Sequence, residues 1–173
     1  MDDGVIAGPT LDAFNLRLAR LAKDEFSQEV EKALCREDPW HFLTHYVITA
    51  DQHPPPGIDP YRPFPSHKRY LYGLTRAWVE NPIIVVAKSR QMLVSWLFCA
   101  LFLCDAMFKA GRVNVCQSMD KDSAAELIWR MTIIAEKVPA WLRPKGWPAK
   151  DDMQTFKIQF PGHHSKITSI PAG

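Results

Sequence analysis

Lys88, Arg90 and Ser95 fall within eight residues, between the β-branched run Ile83-Ile84-Val85-Val86-Ala87 and an apolar stretch that opens at Val94. Two cations and a hydroxyl in that place are the groups needed to hold a chain of phosphates. Loop N–H groups and the positive end of the following helix point at one spot. A lysine neutralises the terminal phosphates, and a hydroxyl in the first helical turn takes a place on Mg²⁺. The standard pattern G-x-x-x-x-G-K-[ST] is not met, because Val94 stands where the lysine would precede the hydroxyl. The available cations sit at the front of the loop instead. The same strand, loop and helix also occur in α/β domains that bind no nucleotide, with Lys88 and Arg90 as surface cations and Ser95 as a helix cap.

Other groups carry weaker signals. His41 and His45 lie four apart on an expected helix, but no third ligand has suitable spacing, so partly buried histidines are the preferred reading over a metal pair. His163 and His164 are expected at a hairpin tip. Cys35, Cys99, Cys104 and Cys116 stand in apolar surroundings without a Cys-x-x-Cys pair, which suits reduced core thiols. Arg143, Lys145 and Lys150, with Trp141 and Trp147 among them, fit a solvated loop anchored by tryptophans better than a nucleic-acid surface.

The elements that must position the loop follow from periodicity. Apolar residues recur every three to four positions from Leu11 to Leu34, so Thr10 is expected to cap one amphipathic helix over residues 10–34, its stripe thin at Ala22. Asp38 as cap and Pro39 at the first position predict a second, burying Trp40, Leu43, Tyr46 and Val47. The prolines at 54–56 favour an extended spacer. Ser66 is expected to cap a helix through Trp78, with Tyr70, Leu71, Leu74 and Trp78 inward. Residues 83–87 predict a strand buried on both faces, residues 94–109 an apolar helix stopped by Gly111, residues 113–117 a second strand, and residues 123–137 a further helix. Phe156, Ile158 and Phe160 alternate, Pro161-Gly162 turns, and residues 166–170 alternate again as the other arm of a hairpin. The order of these elements is that of an α/β fold, a parallel sheet with helices packed on its faces.

Length and charge bound the rest. The chain has 173 residues, 47% hydrophobic and 11% aromatic, enough for one ordinary globular core and too little for a roomy nucleotide-binding enzyme. Residues 1–60 hold 5 Lys+Arg against 11 Asp+Glu, and residues 61–173 hold 16 against 8, so the net +2 conceals an acidic front at −6 and a basic body at +8. A basic body suits an anion such as nucleotide or nucleic acid. The start Met1-Asp2-Asp3 lacks the basic-then-apolar order of a signal peptide, and the longest apolar run, residues 92–104, is too short to span a bilayer, so no membrane partner is expected.

Lys88-Ser89-Arg90-Gln91-Met92 followed by Ser95-Trp96 resembles the variant Walker A loop of the large terminase subunits of tailed phages, ATPases that package DNA into proheads, where many members read K-S-R-Q-M-G-x-S-W. Further segments resemble that family in order: Asp38-Pro39-Trp40-His41-Phe42-Leu43 with Asp51-Gln52-His53, Pro63-Phe64-Pro65 with Tyr70-Leu71 and Trp78, Ser118 with Lys121 and Ala124-Ala125, and the hairpin ending at Ile170-Pro171. Together they cover about residues 35–173. The resemblance implies a P-loop NTPase-like parallel sheet with flanking helices, incomplete, in which residues 1–60 form an acidic helical leader and residues 61–173 the N-terminal half of an ATPase domain. It implies ATP and Mg²⁺ as cofactors, Lys88 on the phosphates, Ser95 on the metal, and Ser89, Gln91, Met92, Leu93 and Val94 as backbone donors. Arg90 matches a γ-phosphate sensor and Tyr70 an adenine-stacking aromatic, with Leu71 where a glutamine often follows. Implied partners are double-stranded DNA, a portal and a small terminase subunit in the host-cell cytoplasm, with oligomers formed by the intact protein.

Two departures matter. Leu93 replaces a frequent glycine, so its side chain is expected either to hold the backbone away from phosphate or to force a left-handed residue costing roughly 1–2 kcal/mol. No run of four apolar residues followed by Asp-Glu occurs after Ile170, so the Walker B pair and the nuclease triad are expected beyond the matched stretch. The alternative is a non-catalytic remnant or interaction module that keeps the fold without ATP hydrolysis.

Overall fold

The computed structural model describes residues 10–51, 54–89, 92–148 and 152–172. Where one long helix was expected at the front, there are two, α1 (Leu11–Leu21) and α2 (Glu25–Glu37). Thr10 caps the first as expected. The break comes from Asp24, whose carboxylate accepts the Ser27 N–H at 3.3 Å and starts a new helix. It also shifts the phase of the apolar stripe. Phe26, Val30 and Leu34 are 78%, 43% and 42% exposed, while Cys35 is buried and Glu31 turns inward.

Asp38 and Pro39 open α3 (Pro39–Tyr46) as expected, with the Trp40 N–H on the Asp38 carboxylate at 3.0 Å. Phe42, Leu43, Tyr46 and Val47 are buried, and Trp40 is half-buried against Phe64. The sequence pattern did not show the next pairing: β1 (Ile48–Ala50) runs antiparallel to β2 (Tyr61–Pro63), across the proline spacer. α4 (Arg69–Glu80) starts three residues after Ser66 and has no side-chain cap. Its buried face is Leu71 and Thr75, with Leu74 and Trp78 partly covered and Tyr70 and Tyr72 outside.

The strand expected at residues 83–87 is absent. The segment has no regular secondary structure, Ile83 is 82% and Val85 94% exposed, and no described residue pairs with it. β-branched composition fits a strand only where a neighbouring strand pairs with it, and among the described residues none does.

α5 (Val94–Phe108) is the centre of the fold, buried along nearly every face. After Gly111, with φ +71, the chain enters β3 (Val113–Ser118) and then α6 (Lys121–Lys137), capped by Asp120 on the Ser123 N–H at 2.7 Å. β4 (Met153–Gln154), β5 (Lys157–Phe160) and β6 (Ser165–Pro171) complete a sheet of order β3-β6-β5-β4. The hairpin reading holds: β5 and β6 pair antiparallel with Phe160 opposite Ser165. Its turn is a short 3-10 segment (Pro161–His163) followed by left-handed His164.

The sheet is mixed, not parallel throughout: β3 and β6 run parallel, and the other two pairs are antiparallel. Helices cover one face, where Cys116, Ile158, Phe160, Ser165, Ile167 and Ser169 are buried. Val113, Val115, Gln117, Lys166 and Ile170 alternate with them and are exposed on the other. The expectation of helices on both faces is therefore corrected to one covered face and one bare face. The core joins α2, α3, α5, α6 and the sheet, including Phe42, Tyr46, Leu97, Leu101, Met107, Met131 and Ile167. Burying each such side chain stabilises the fold by about 1.5–3 kcal/mol before ordering costs. Among the described residues no helix is long and apolar enough to cross a membrane.

Candidate functional site

The loop residue that sets the site is Leu93. It has φ 55° and ψ 8°, the left-handed conformation that was one of the two outcomes expected here, and it is the residue from which α5 departs. Its strain of roughly 1–2 kcal/mol is offset by packing of its half-buried side chain on the core. Among the described residues no side chain caps α5, so the amides of its first turn carry no partner of that kind there.

Lys88 and Ser95 line one cavity of about 410 Å³ beside this helix start. Its other walls are Val86, Val94, Phe98, Cys99, Phe102, Val115, Cys116, Gln117 and Leu127, so no carboxylate lines it among the described residues. Lys88 is exposed and among the described residues reaches no anion, its ammonium lying 3.5 Å from the Ser89 carbonyl. Tyr70 is brought to the same loop from α4, its hydroxyl donating to the Met92 carbonyl at 3.0 Å. Partial burial pushes the Tyr70 hydroxyl up, which keeps it a neutral donor. Ser89 is exposed beside Lys88, and Val94 is buried at the head of α5. Arg90 and Gln91 lie outside the described residues.

Sequence reasoning missed Gln117, which brings an amide to the cavity from near the carboxyl end of β3. The signal was present: polar residues at the carboxyl ends of parallel strands face the usual ligand crevice of α/β sheets. The apolar walls from α5 and α6 were legible only as core.

No family model matches this chain, and no curated protein does.

The remaining residues have structural partners. His41 and His45 stack with ring centres 4.2 Å apart, but His41 Nε2 meets Glu31 at 2.7 Å and His45 Nδ1 lies 3.0 Å from the His41 carbonyl. Glu31 gathers Arg17 at 2.8 Å and the Tyr46 hydroxyl at 2.5 Å as well. Burial pushes the Glu31 carboxyl up, but the hydrogen bonds from Tyr46 and His41 and the charge of Arg17 outweigh it and hold it below the usual value. Burial also lowers His45. The four cysteines are buried free thiols, with Cys99 pushed up to about 12 and Cys116 up to about 11 by burial, far from reactive thiolates. Arg143 binds the carbonyls of Val138 at 3.0 Å and Glu136 at 3.3 Å, closing the end of α6, and stacks 5.2 Å from the Trp147 ring. Trp141 packs edge-on against Tyr46. Lys145 lies in this loop, and Lys150 is outside the described residues. His164 is exposed at the hairpin tip, whereas His163 is half-buried and its carbonyl accepts the Gly111 N–H at 2.8 Å.

Proposed function

We propose that this chain is the ATP-binding, N-terminal part of a DNA-packaging terminase large subunit of the tailed-phage kind. The observation that carries the reading is the meeting of Lys88 and Ser95 on one cavity at the uncapped start of α5. The ordered motif resemblance supplies the rest, including the P-loop NTPase-like character of the sheet, the host-cell cytoplasm as setting, and double-stranded DNA, portal and small subunit as partners.

The donor set fits a magnesium nucleotide in kind. One ammonium, first-turn amides and one hydroxyl suit a phosphate chain, and a metal that keeps several waters and phosphate oxygens needs little more than the Ser95 hydroxyl from the protein. ATP supplies the phosphoanhydride whose cleavage would drive translocation. Lys88 would then neutralise terminal phosphate, the Val94 and Ser95 amides would donate to its oxygens, and Tyr70 holds the loop through Met92. Arg90 is assigned the γ-phosphate by resemblance. No carboxylate lines the cavity among the described residues, so no group here is assigned to activate water.

A fluorescent ATP analogue titrated in Mg²⁺ tests the reading. Saturable binding in the wild-type chain, lost in Lys88→Ala and weakened in Ser95→Ala, is expected. Absence of saturation in both the wild type and Leu93→Gly overturns it. A chain of unchanged fold that binds no nucleotide would instead be the interaction module.

A further inference from the structure

The cavity beside α5 touches three consecutive residues of β3, Val115, Cys116 and Gln117, and no described residue of β6. Consecutive side chains of a strand lie on opposite faces of the sheet, so a cavity that touches all three meets β3 along its edge. β6 holds one edge, and among the described residues no strand holds the other. The register shows what this free edge offers. The Lys166 N–H donates to the Arg112 carbonyl at 2.8 Å and the Ala172 N–H to the Ser118 carbonyl at 2.6 Å, while the Ser169 N–H turns the other way, to the Phe156 carbonyl at 2.8 Å. In a parallel ladder alternate residues bond to the neighbour, so the even-numbered residues of β3 serve β6. The N–H and C=O groups of Val115 and Gln117 therefore point to the free edge, where the cavity lies.

The remaining walls are apolar and held in place. From Ser95 to Phe102 the cavity follows α5 for roughly 10 Å. Phe98 and Phe102 stand edge-on to Trp78, with ring centres 5.8 and 5.1 Å away. The Cys99 thiol is taken by the Leu127 carbonyl at 3.6 Å. The Asn114 amide reaches the Phe102 carbonyl at 3.2 Å, so β3 runs from there back along α5 and brings Gln117 towards the Ser95 end. Phosphate is costly among Phe98, Phe102, Val115 and Leu127, whereas a flat neutral ring with one hydrogen-bonding edge suits them. The volume of about 410 Å³ lies in the ordinary range of small-molecule sites.

We propose that the free edge of β3 reads the adenine base of the nucleotide: the Val115 carbonyl accepts from the N6 amine and the Gln117 N–H donates to N1, with the ring against Phe98 and Phe102. This rests on the reading of Lys88 and Ser95 as the phosphate site and adds the base to it. Adenine carries a donor beside an acceptor, and a strand edge offers the complement in a C=O and the N–H two residues on. Hypoxanthine has a carbonyl at position 6 and an N–H at position 1, so it sets acceptor against acceptor and donor against donor. Tyr70 does not line the cavity, its hydroxyl being engaged with the Met92 carbonyl.

Calorimetric titration of the full chain in Mg²⁺ with ATP, inosine triphosphate and inorganic tripolyphosphate is the test. ATP should bind roughly tenfold or more tightly than either of the others, the scale of one or two hydrogen bonds and a packed ring. Charge does not produce that order, because tripolyphosphate is the more highly charged. Gln117→Pro removes an N–H that does not serve β6 and should bring ATP down to the level of inosine triphosphate. Amide exchange in the wild type gives the same answer without a substitution: the Gln117 N–H should slow with ATP and not with tripolyphosphate. Equal affinity for the three ligands overturns the base assignment and leaves the phosphate site standing. An ATP preference that persists in Gln117→Pro of unchanged circular dichroism also overturns it, as does a Gln117 amide that ATP does not slow. No binding of any of the three, in the wild type and in Leu93→Gly, overturns both readings.

Discussion

The two ends of α5 are built on opposite rules. At its C-terminal end every strong polar group is tied down. Asp105, 7% exposed, binds Arg112 at 2.7 Å, Lys109 at 3.2 Å and Asn114 at 3.4 Å. Ser165 links the Lys109 carbonyl to the Arg112 N–H, and Gly111 is held by His163. At the N-terminal end the described residues show no side-chain cap, a left-handed leucine, an exposed lysine without a counter-ion and a stretch of unpaired backbone. A closed end stabilises the fold, whereas an end with unspent donors and positive potential has something to offer a ligand.

Substitutions should split along that line. The largest effect is expected at the closed end: Asp105→Ala leaves Lys109 and Arg112 without their shared carboxylate and should cost about 1–3 kcal/mol in urea unfolding, with ATP-analogue affinity unchanged. Burial pushes Asp105 up, but hydrogen bonds from Arg112 and Lys109 and their charges overcome this and lower it from 3.8. Its folded pKa lies below its unfolded one, so its stabilisation is full above the unfolded value and fades as pH falls through the folded one. Glu31, lowered from 4.5, acts alike, and His45, lowered from 6.5, starts the loss earlier, as pH drops below 6.5. Unfolding free energy measured against pH should thus decline in two stages on the acid side. Asp105→Ala should shrink the lower stage to what Glu31 contributes and leave the upper one.

Smaller effects, of the opposite sign or none, are expected at the open end. Leu93→Gly relieves the left-handed strain but loses side-chain packing, so its net gain should stay within about 1 kcal/mol by thermal unfolding, with tighter nucleotide binding. Lys88→Ala touches nothing that supports the fold and should change stability by less than about 0.5 kcal/mol. Loss of stability in Lys88→Ala comparable to that in Asp105→Ala would erase the distinction between the ends.

The same contrast explains what could be read in advance. α3 and the β5–β6 hairpin were legible because local chemistry decides them: Asp38 before Pro39 and alternation around Pro161-Gly162, whereas α6, expected from residue 123, starts at Lys121 behind the unread cap Asp120. The break between α1 and α2 was also local, yet Asp24 went unnoticed inside an apolar period that ran straight through it. β1 with β2 depends on contact across a proline loop, and residues 83–87 depend on a partner strand, neither of which periodicity reports. For the candidate site, Lys88 and Ser95 were legible from spacing and residue type, and the strain at Leu93 only from the resemblance, which puts a glycine there in many members. Gln117 and the hydroxyl of Tyr70 on Met92 were not, since they arrive from elements distant in sequence.

Amide chemical shifts followed while ATP and Mg²⁺ are added compare the two ends in one measurement. The account predicts saturable shifts at Val94, Ser95 and Trp96 with Gly111, Arg112 and Ser165 unmoved. Movement confined to the Asp105 end, or none at either end in both the wild type and Leu93→Gly, would contradict it.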